Sequence, residues 1–261
     1  MIGLRITRRG LMGGIAAGVA STATVTSNSA VRAQASGKSY VLIPGAFCGA
    51  WYWRRVAALL EKQGHKVFPL TLTGLGDRAH LLSKEINLDT HILDIVNFIE
   101  AEDLTDICLV AHSYGGYPAS GALERVEKRV SSIVWVDALK PADGQSFAAE
   151  LSIKLEEGTI GRPAPKTSAL PDARDAAWVV SKMTAHPVGT WLQPIKLTGA
   201  RERIAKKTYI RLPKYQLAAL DKAAAECKAD STWKFIENNT SGHAVMVQEP
   251  EWLADVLLKA V

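Results

Sequence analysis

The sequence predicts an α/β protein with a mostly parallel sheet that is covered by helices on both faces. Short apolar runs alternate with amphipathic segments along most of the chain, and this alternation is typical of strand–helix–strand units. The composition agrees, because 48% of the 261 residues are hydrophobic and 22% are charged. Such values exclude a disordered or low-complexity chain and are compatible with one large core.

Six of the apolar runs are predicted to be buried strands, because each is short and bounded by segments of a different pattern. In chain order the predicted strands are residues 40–43, 67–70, 107–111, 133–136, 208–210 and 233–236. Helical periodicity is clearest at 88–100, where apolar residues recur on one face. Further helices are predicted at 118–126 and 215–225, and a terminal helix is predicted to begin near Pro250.

The regular alternation breaks between Pro141 and about Lys207. This stretch contains six of the eleven prolines together with short segments of helical pattern. A structureless loop of that length is uncommon in a compact domain. We therefore predict a helical cap over about 141–207, inserted after the strand that ends at Asp137, within one domain that spans residues 36–261.

The first 35 residues are predicted to be a signal peptide and no part of the fold. They contain the pair Arg8-Arg9, a weakly apolar stretch to about Val25, and small residues at Ala33 and Ala35. This arrangement resembles a twin-arginine export signal, and its Gly, Ser and Thr content is too high for a membrane span. We expect a periplasmic or secreted protein; the alternative is a disordered tail with paired arginines.

Charge and cysteine content bear on partners and cofactors. The net charge is +5, but residues 1–35 hold four arginines and no acid, so the remainder carries 27 basic and 26 acidic side chains. This balance gives no reason to expect nucleic acid or an anionic membrane as a partner. The three cysteines lack the spacing of a zinc site. We expect a small-molecule ester substrate, no metal, no cofactor and no membrane span in the mature protein, and the sequence leaves a homodimer open.

The strongest functional signal is a serine at a strand-to-helix turn. The predicted strand 107–111 is followed within two residues by Ser113, and a helical pattern then resumes. Such a turn strains the serine backbone, so the residues two positions away must be small, as Ala111 and Gly115 are. The N–H of Tyr114 is placed to stabilise negative charge beside the serine. An ordinary turn is the alternative, and the flanking strand and helix argue against it.

The base predicted for this serine is His243. It lies on a loop after the last predicted strand, behind Gly242, and can reach a serine from there. His112 is adjacent to the serine, but neighbouring side chains of a strand point to opposite faces, so we expect it to pack beneath the turn. The remaining histidines lie in turns, in loops or at a helix start, and they are His65, His80, His91 and His186.

A glycine-bearing bend is predicted to supply the second oxyanion donor. The first predicted strand ends at Pro44-Gly45-Ala46 and leads into a tryptophan-rich helical segment. The N–H of Ala46, paired with that of Tyr114, is placed to face a substrate carbonyl. The alternative is a plain glycine turn.

A resemblance to a known family rests on four motifs, LIPGAFCGAWYW, LVAHSYGGY, VWVDALKPADGQS and SGHAVMVQEP, which occur in this order across nearly the whole predicted mature chain. Together they resemble the α/β-hydrolase superfamily. More narrowly, they are similar to the branch of plant methyl-ester hydrolases, hydroxynitrile lyases and bacterial carboxylesterases such as those acting on pyrethroids. The resemblance implies Ser113 as nucleophile, His243 as base, and Ala46 and Tyr114 as oxyanion donors.

The acidic residue is where the chain departs from this family. In most of the superfamily the acid follows the penultimate strand, but here the first carboxylate after that strand is Asp221, inside a predicted helix. Asp137 stands at the end of the strand 133–136, and a buried carboxylate there needs a partner, which a histidine N–H supplies. We therefore predict Asp137 as the acid. The alternatives are Asp221, Asp143, Glu237, or a structural role for Asp137.

These features predict a serine carboxylesterase that hydrolyses small to medium hydrophobic carboxylic esters through an acyl-enzyme. We expect Phe47, Trp178 and Trp191 to bind the substrate, the alternative being that these aromatics form the cap's own core. Hydroxynitrile lyases of this branch carry a threonine and a lysine where this chain has Gly45 and Ala244, which disfavours that activity. A weakly catalytic ligand-binding protein on the same scaffold is a second alternative, because the acid is missing from its usual place.

Overall fold

The computed structural model describes residues 37–261 except residues 157 and 169. The predicted signal peptide, residues 1–35, lies outside the described residues. The strands of the described part are β1 (Ser39–Ile43), β2 (Lys66–Pro69), β3 (Ile107–His112), β4 (Val130–Val136), β5 (Gly161–Arg162), β6 (His186–Pro187), β7 (Lys206–Arg211) and β8 (Trp233–Glu237). Six of them form one parallel sheet in the order β2-β1-β3-β4-β7-β8, and β5 pairs with β6 in a separate antiparallel pair.

Four of the described α-helices lie between β4 and β7, and three of these four are only four residues long. In chain order the α-helices are α1 (Arg54–Lys62), α2 (Leu88–Ala101), α3 (Gly116–Val126), α4 (Phe147–Glu150), α5 (Ala173–Lys182), α6 (Gly189–Leu192), α7 (Ala200–Arg203), α8 (Ala218–Ala229), α9 (Val245–Gln248) and α10 (Pro250–Leu258). Within the described residues, no helix combines the length and apolar character that a membrane span requires.

The sheet is buried on both faces, as a parallel sheet requires. Along β3, Ile107 and Leu109 pack into one core with residues of α2, α3 and α8. Cys108 and Val110 alternate with them and pack into a second core with residues of α1 and α10. The period of two along the strand therefore assigns each β3 side chain to one helical layer.

The predicted α/β class is confirmed, with the mostly parallel sheet and helices on both faces. Each of the six predicted strands is present, with ends within three residues of the prediction. Helix α2 spans almost the predicted residues, and α10 begins at Pro250 as predicted. The stretch predicted as a cap holds α4 to α7, the β5–β6 pair and irregular chain. The cap was predicted to end at about Lys207, and β7 begins at Lys206.

The topology brings the ends of several strands to one edge. Because β1, β3, β4, β7 and β8 are parallel, their carboxyl ends lie at the same side of the sheet. The bend after β1, the turn after β3, the residue after β4 and the loop after β8 thus converge there. In open α/β sheets this edge is where ligands bind.

Candidate active site

Ser113 sits at the apex of a tight turn between β3 and α3. Its φ is 53°, a left-handed value that is uncommon for a residue with a side chain and marks a strained turn. A Cβ on Gly115 would lie 2.7 Å from the carbonyl oxygen of Pro44, and a Cβ on Gly116 would lie 2.0 Å from that of Leu139. Both positions therefore require glycine for the turn to pack this closely.

His243 lies in the loop between β8 and α9 and contacts three side chains that fix its ring. Its Nδ1 lies 2.7 Å from Oδ2 of Asp137. Its ring stacks on Tyr215, with centroids 4.2 Å apart, and lies 4.4 Å from the ring of His112. An ionised carboxylate only accepts hydrogen bonds, so Nδ1–H donates to Asp137 and Nε2 is left free to take a proton.

Asp137 follows β4 and is fully buried. Its Oδ1 accepts hydrogen bonds from Nη1 of Arg211 at 2.6 Å and from the N–H of Leu212 at 3.1 Å. Its Oδ2 is bound to His243. The carboxylate is thus held from both sides, and only one of its oxygens faces the imidazole.

The alternative acids lie elsewhere. Asp221, 61% exposed, binds the far side of Arg211 at 2.6 Å. Asp143 accepts from the N–H of Leu197, and Glu237 accepts from Asn239. Of the four acids weighed from the sequence, the structure brings Asp137 to His243.

The bend after β1 is held by the segment between β4 and β7. Phe47 adopts a φ of 67°; its N–H donates to Nδ1 of His186 and its carbonyl accepts from Thr184, both at 3.1 Å. Among the described residues, the N–H of Ala46 has no acceptor. The N–H of Tyr114 lies in the first turn of a helical segment, where it lacks an intrahelical acceptor. Both groups are therefore available to an oxyanion.

His112 packs beneath the serine turn. Its Nε2 donates to the carbonyl oxygen of His243 at 2.9 Å, and its buried Nδ1 has no partner among the described residues. Burial holds the pKa of His112 well below its ordinary value, so the ring is neutral and does not serve as the base. Its contact with the backbone of His243 ties the serine turn to the loop that carries the predicted base.

Two further buried histidines, His91 and His186, contact residues of the serine turn and of the bend after β1. The Tyr114 hydroxyl donates to Nδ1 of His91 at 2.9 Å, and Nε2 of His91 donates to the carbonyl oxygen of Thr73 at 2.8 Å. Nε2 of His186 donates to the Thr190 hydroxyl at 3.0 Å. Burial lowers the pKa of His91 to about 4 and that of His186 well below its ordinary value. Both rings are therefore neutral at ordinary pH.

These neutral histidines predict a loss of stability in mild acid. A buried histidine with a lowered pKa binds no proton in the folded state but binds one when unfolded, so its contribution is complete above the ordinary value of 6.5 and falls below it. For His91 the loss continues down to about pH 4. Each such histidine is expected to reduce the free energy of unfolding by about 1.4 kcal/mol per pH unit within its window.

Urea denaturation at about pH 7, 6 and 5 measures this slope. His91→Gln removes one of three such titrations and is expected to make the slope less steep by about 1.4 kcal/mol per pH unit. His80→Gln, at an exposed position, is the matched control and should keep the wild-type slope. An unchanged slope in His91→Gln would contradict the prediction.

A cavity of about 240 Å³ opens at Ser113, and we call it the serine chamber. His243 and Ala46 line it together with Ser113. Its other walls are largely apolar and include Phe47, Leu139, Phe147, Leu151, Trp191 and Leu217. The structure thus brings the predicted nucleophile, base and oxyanion bend to one hydrophobic cleft.

Two of the three aromatics predicted to bind substrate lie in this chamber, and the third does not. Phe47 and Trp191 are both chamber walls, with ring centroids 5.8 Å apart. Trp178 packs against Trp51, with centroids 5.3 Å apart. Trp178 is not among the residues that line the serine chamber.

Several residues that shape the site were not predicted from the sequence. Arg211 ends β7, and no local pattern indicated that it contacts Asp137. Tyr215 and His186 lie far along the chain from the residues they support. A basic residue at the end of a buried strand is the one signal that points to a buried acidic partner.

The chain belongs to the α/β hydrolase family, which it matches over residues 40–256. A carbendazim-hydrolysing esterase of a Nocardioides species is 32% identical over 239 residues, covering 84% of this chain and 98% of that protein. A putative methylesterase of Arabidopsis thaliana is 24% identical and covers 85% of this chain and 71% of that protein. The predicted family is thereby confirmed.

Solved structures agree on the fold. An extracellular α/β-hydrolase from a Paenibacillus species superposes with a TM-score of 0.75 at 23% identity and covers 85% of this chain and 98% of that one. A pyrethroid hydrolase from Sphingobium faniae superposes with a TM-score of 0.63 at 19% identity, with 85% and 96% covered.

Proposed function

We propose that the protein is a serine carboxylesterase that hydrolyses small to medium hydrophobic carboxylic esters through an acyl-enzyme. The carboxylic ester hydrolase class follows from the named esterases among its relatives. The observation that carries the mechanism is the 2.7 Å hydrogen bond between His243 and Asp137 beside the strained Ser113. A buried carboxylate, an imidazole that it orients and a serine hydroxyl at a tight turn together make up the catalytic triad of a serine hydrolase.

The reaction follows from these positions. Nε2 of His243 takes the proton of Ser113 as Oγ attacks the ester carbonyl carbon, and the N–H groups of Ala46 and Tyr114 stabilise the oxyanion. His243 then gives the proton to the leaving alcohol, and Asp137 stabilises the imidazolium that forms between these two steps. Water attacks the acyl-enzyme with the same base and releases the acid.

Covalent labelling tests the proposal directly. A fluorophosphonate reacts with activated serines, so the full chain is expected to take up one label at Ser113 and to lose hydrolysis of 4-nitrophenyl butyrate in proportion. Peptide mass spectrometry locates the label, and the exposed Ser181 in the same sample is the internal control. Hydrolysis that persists after complete labelling, or a label at another residue, would overturn the proposal.

The geometry argues against the hydroxynitrile lyase alternative. A Cβ on Gly45 would lie 2.8 Å from Nδ1 of His112 and 3.0 Å from Cβ of Ser113, so the threonine of those lyases does not fit this bend unless His112 moves. Ala244 likewise lacks the lysine ammonium. Cyanide release from mandelonitrile is therefore expected to be absent.

The ligand-binding alternative has a test of its own. A stoichiometric burst with 4-nitrophenyl butyrate, followed by no turnover, would support that alternative.

We also propose that the protein acts in the periplasm or outside the cell after twin-arginine export. The support is the sequence of residues 1–35, with Arg8-Arg9 before a weakly apolar stretch and Ala33 and Ala35 at its end. Changing Arg8-Arg9 to Lys-Lys is expected to retain the protein inside an export-competent bacterium, which cell fractionation measures.

A further inference from the structure

A second cavity adjoins the serine chamber, and the reaction steps above leave it without a role. Its volume is about 340 Å³, and we call it the side chamber. Its own walls include Leu170, Pro171, Val179 and Gln248, and Ser113 is not among them. The two chambers share the walls Tyr52, Met183, Tyr215 and His243. His243 therefore borders both spaces.

The placement of His243 assigns a direction to a bound ester. The carbonyl carbon must lie at Ser113 and the carbonyl oxygen at the oxyanion bend, and both are walls of the serine chamber. The leaving oxygen must receive its proton from Nε2 of His243. The acyl substituent thus remains in the serine chamber, while the alcohol substituent begins at His243, where the side chamber opens.

The walls of the side chamber are suited to a ring. Tyr52 and Tyr215 offer aromatic surface, and Val179 and Met183 offer aliphatic and thioether surface. Two of its polar side chains are paired within the protein. Lys214 Nζ donates to the carbonyl oxygen of Thr240, and Oε1 of Gln248 accepts from the N–H of Gly242 at 2.7 Å. The surface that faces the cavity is largely apolar.

We infer that the side chamber binds the alcohol part of the substrate and that this alcohol is ring-bearing and largely apolar. The inference rests on the proposed function, because it uses His243 as the proton donor to the leaving group. The side chamber is also the larger of the two chambers. The enzyme should therefore tolerate growth of the alcohol more readily than growth of the acyl group.

Two matched substitutions separate the chambers. Val179 lines the side chamber alone and Leu151 lines the serine chamber alone, so Val179→Trp and Leu151→Trp each fill one space. Two ester series are compared: methyl, phenyl and 1-naphthyl butyrate vary the alcohol, and methyl butyrate, octanoate and decanoate vary the acyl group. The readout is kcat/KM relative to methyl butyrate for each variant, with melting temperature as the folding check.

Val179→Trp is expected to lower relative kcat/KM for 1-naphthyl butyrate at least about tenfold and to leave the acyl series nearly unchanged. Leu151→Trp is expected to do the reverse. If a tryptophan variant unfolds, Val179→Ala and Leu151→Ala test the same inference, because they enlarge the same chambers. Each is expected to raise relative kcat/KM for the larger members of its own ester series.

The inference is overturned if Val179 variants alter the acyl series and spare the aryl esters, or if they alter neither. A failure of the proposed function would give a different result. The wild-type protein would then hydrolyse no member of either series, or it would hydrolyse them without becoming labelled at Ser113.

Discussion

Ser113→Ala is expected to reduce kcat for 4-nitrophenyl butyrate by about 10⁶-fold, and His243→Ala by a similar factor. In the proposed mechanism the hydroxyl and the imidazole act as one unit: without Ser113 no acyl-enzyme forms, and without His243 the hydroxyl proton is not removed. The neighbouring His112 does not substitute, because its ring is buried beneath the turn and burial holds its pKa well below the ordinary value.

A double variant tests whether Ser113 and His243 act together. The Ser113→Ala/His243→Ala double variant is expected to be no slower than either single variant, since losses in a cooperative unit do not add. Initial rates with active-site labelling measure all three. Ser181→Ala and His80→Ala, at exposed positions, are the controls and should retain wild-type turnover. Near-wild-type turnover in purified, folded Ser113→Ala would remove Ser113 from the mechanism.

The fold could be predicted because its signals are local. Each strand of the six-stranded sheet is an apolar run that a helix follows or precedes, and buried strands must read that way to pack on both faces. The serine turn was predictable for the same reason, since the strand, Ser113 and Gly115 are contiguous. His243 was predictable from its place after the last strand.

The contacts that hold the site residues in place could not be predicted in the same way, because they join residues that are distant in sequence. Arg211 meets Asp137 across 74 positions, and Phe47 meets His186 across 139. No periodicity or turn pattern encodes such a pair. The place of Trp178 outside the serine chamber has a related cause, since the sequence marks it as aromatic and helical but does not fix which face of α5 turns toward a cavity.

Arg211→Met is expected to destabilise the protein by about 3–5 kcal/mol and to impair turnover, because it leaves the buried carboxylate of Asp137 without its cation. Arg211 is held in place by several acceptors. Nη1 reaches Asp137 at 2.6 Å and the Leu212 carbonyl at 2.8 Å, and Nη2 reaches Asp221 at 2.6 Å and the Tyr215 carbonyl at 2.9 Å. Burial opposes its charge, yet the contacts with Asp221 and Asp137 outweigh burial and raise the pKa of Arg211.

Two comparisons separate this charge compensation from simple packing. Asp221→Asn changes the exposed partner of Arg211 only, and is expected to cost less than about 1 kcal/mol, as exposed ion pairs do. Arg211→Met/Asp137→Asn removes both buried charges and is expected to regain part of the stability that Arg211→Met alone loses. Urea denaturation measures the free energy of unfolding of each variant.

The kinetic part of this prediction concerns the ring of His243. Arg211 binds the carboxylate that orients this ring and the backbone of Tyr215, whose own ring stacks on it at 4.2 Å. Without the guanidinium, Asp137 turns its full charge toward the imidazole, so the acid limb of the profile of kcat/KM against pH is expected to move to higher pH. Loss of packing alone would lower turnover without moving this limb. A profile that keeps its wild-type position in folded Arg211→Met would show that Arg211 supports the fold and has no influence on the proton transfer.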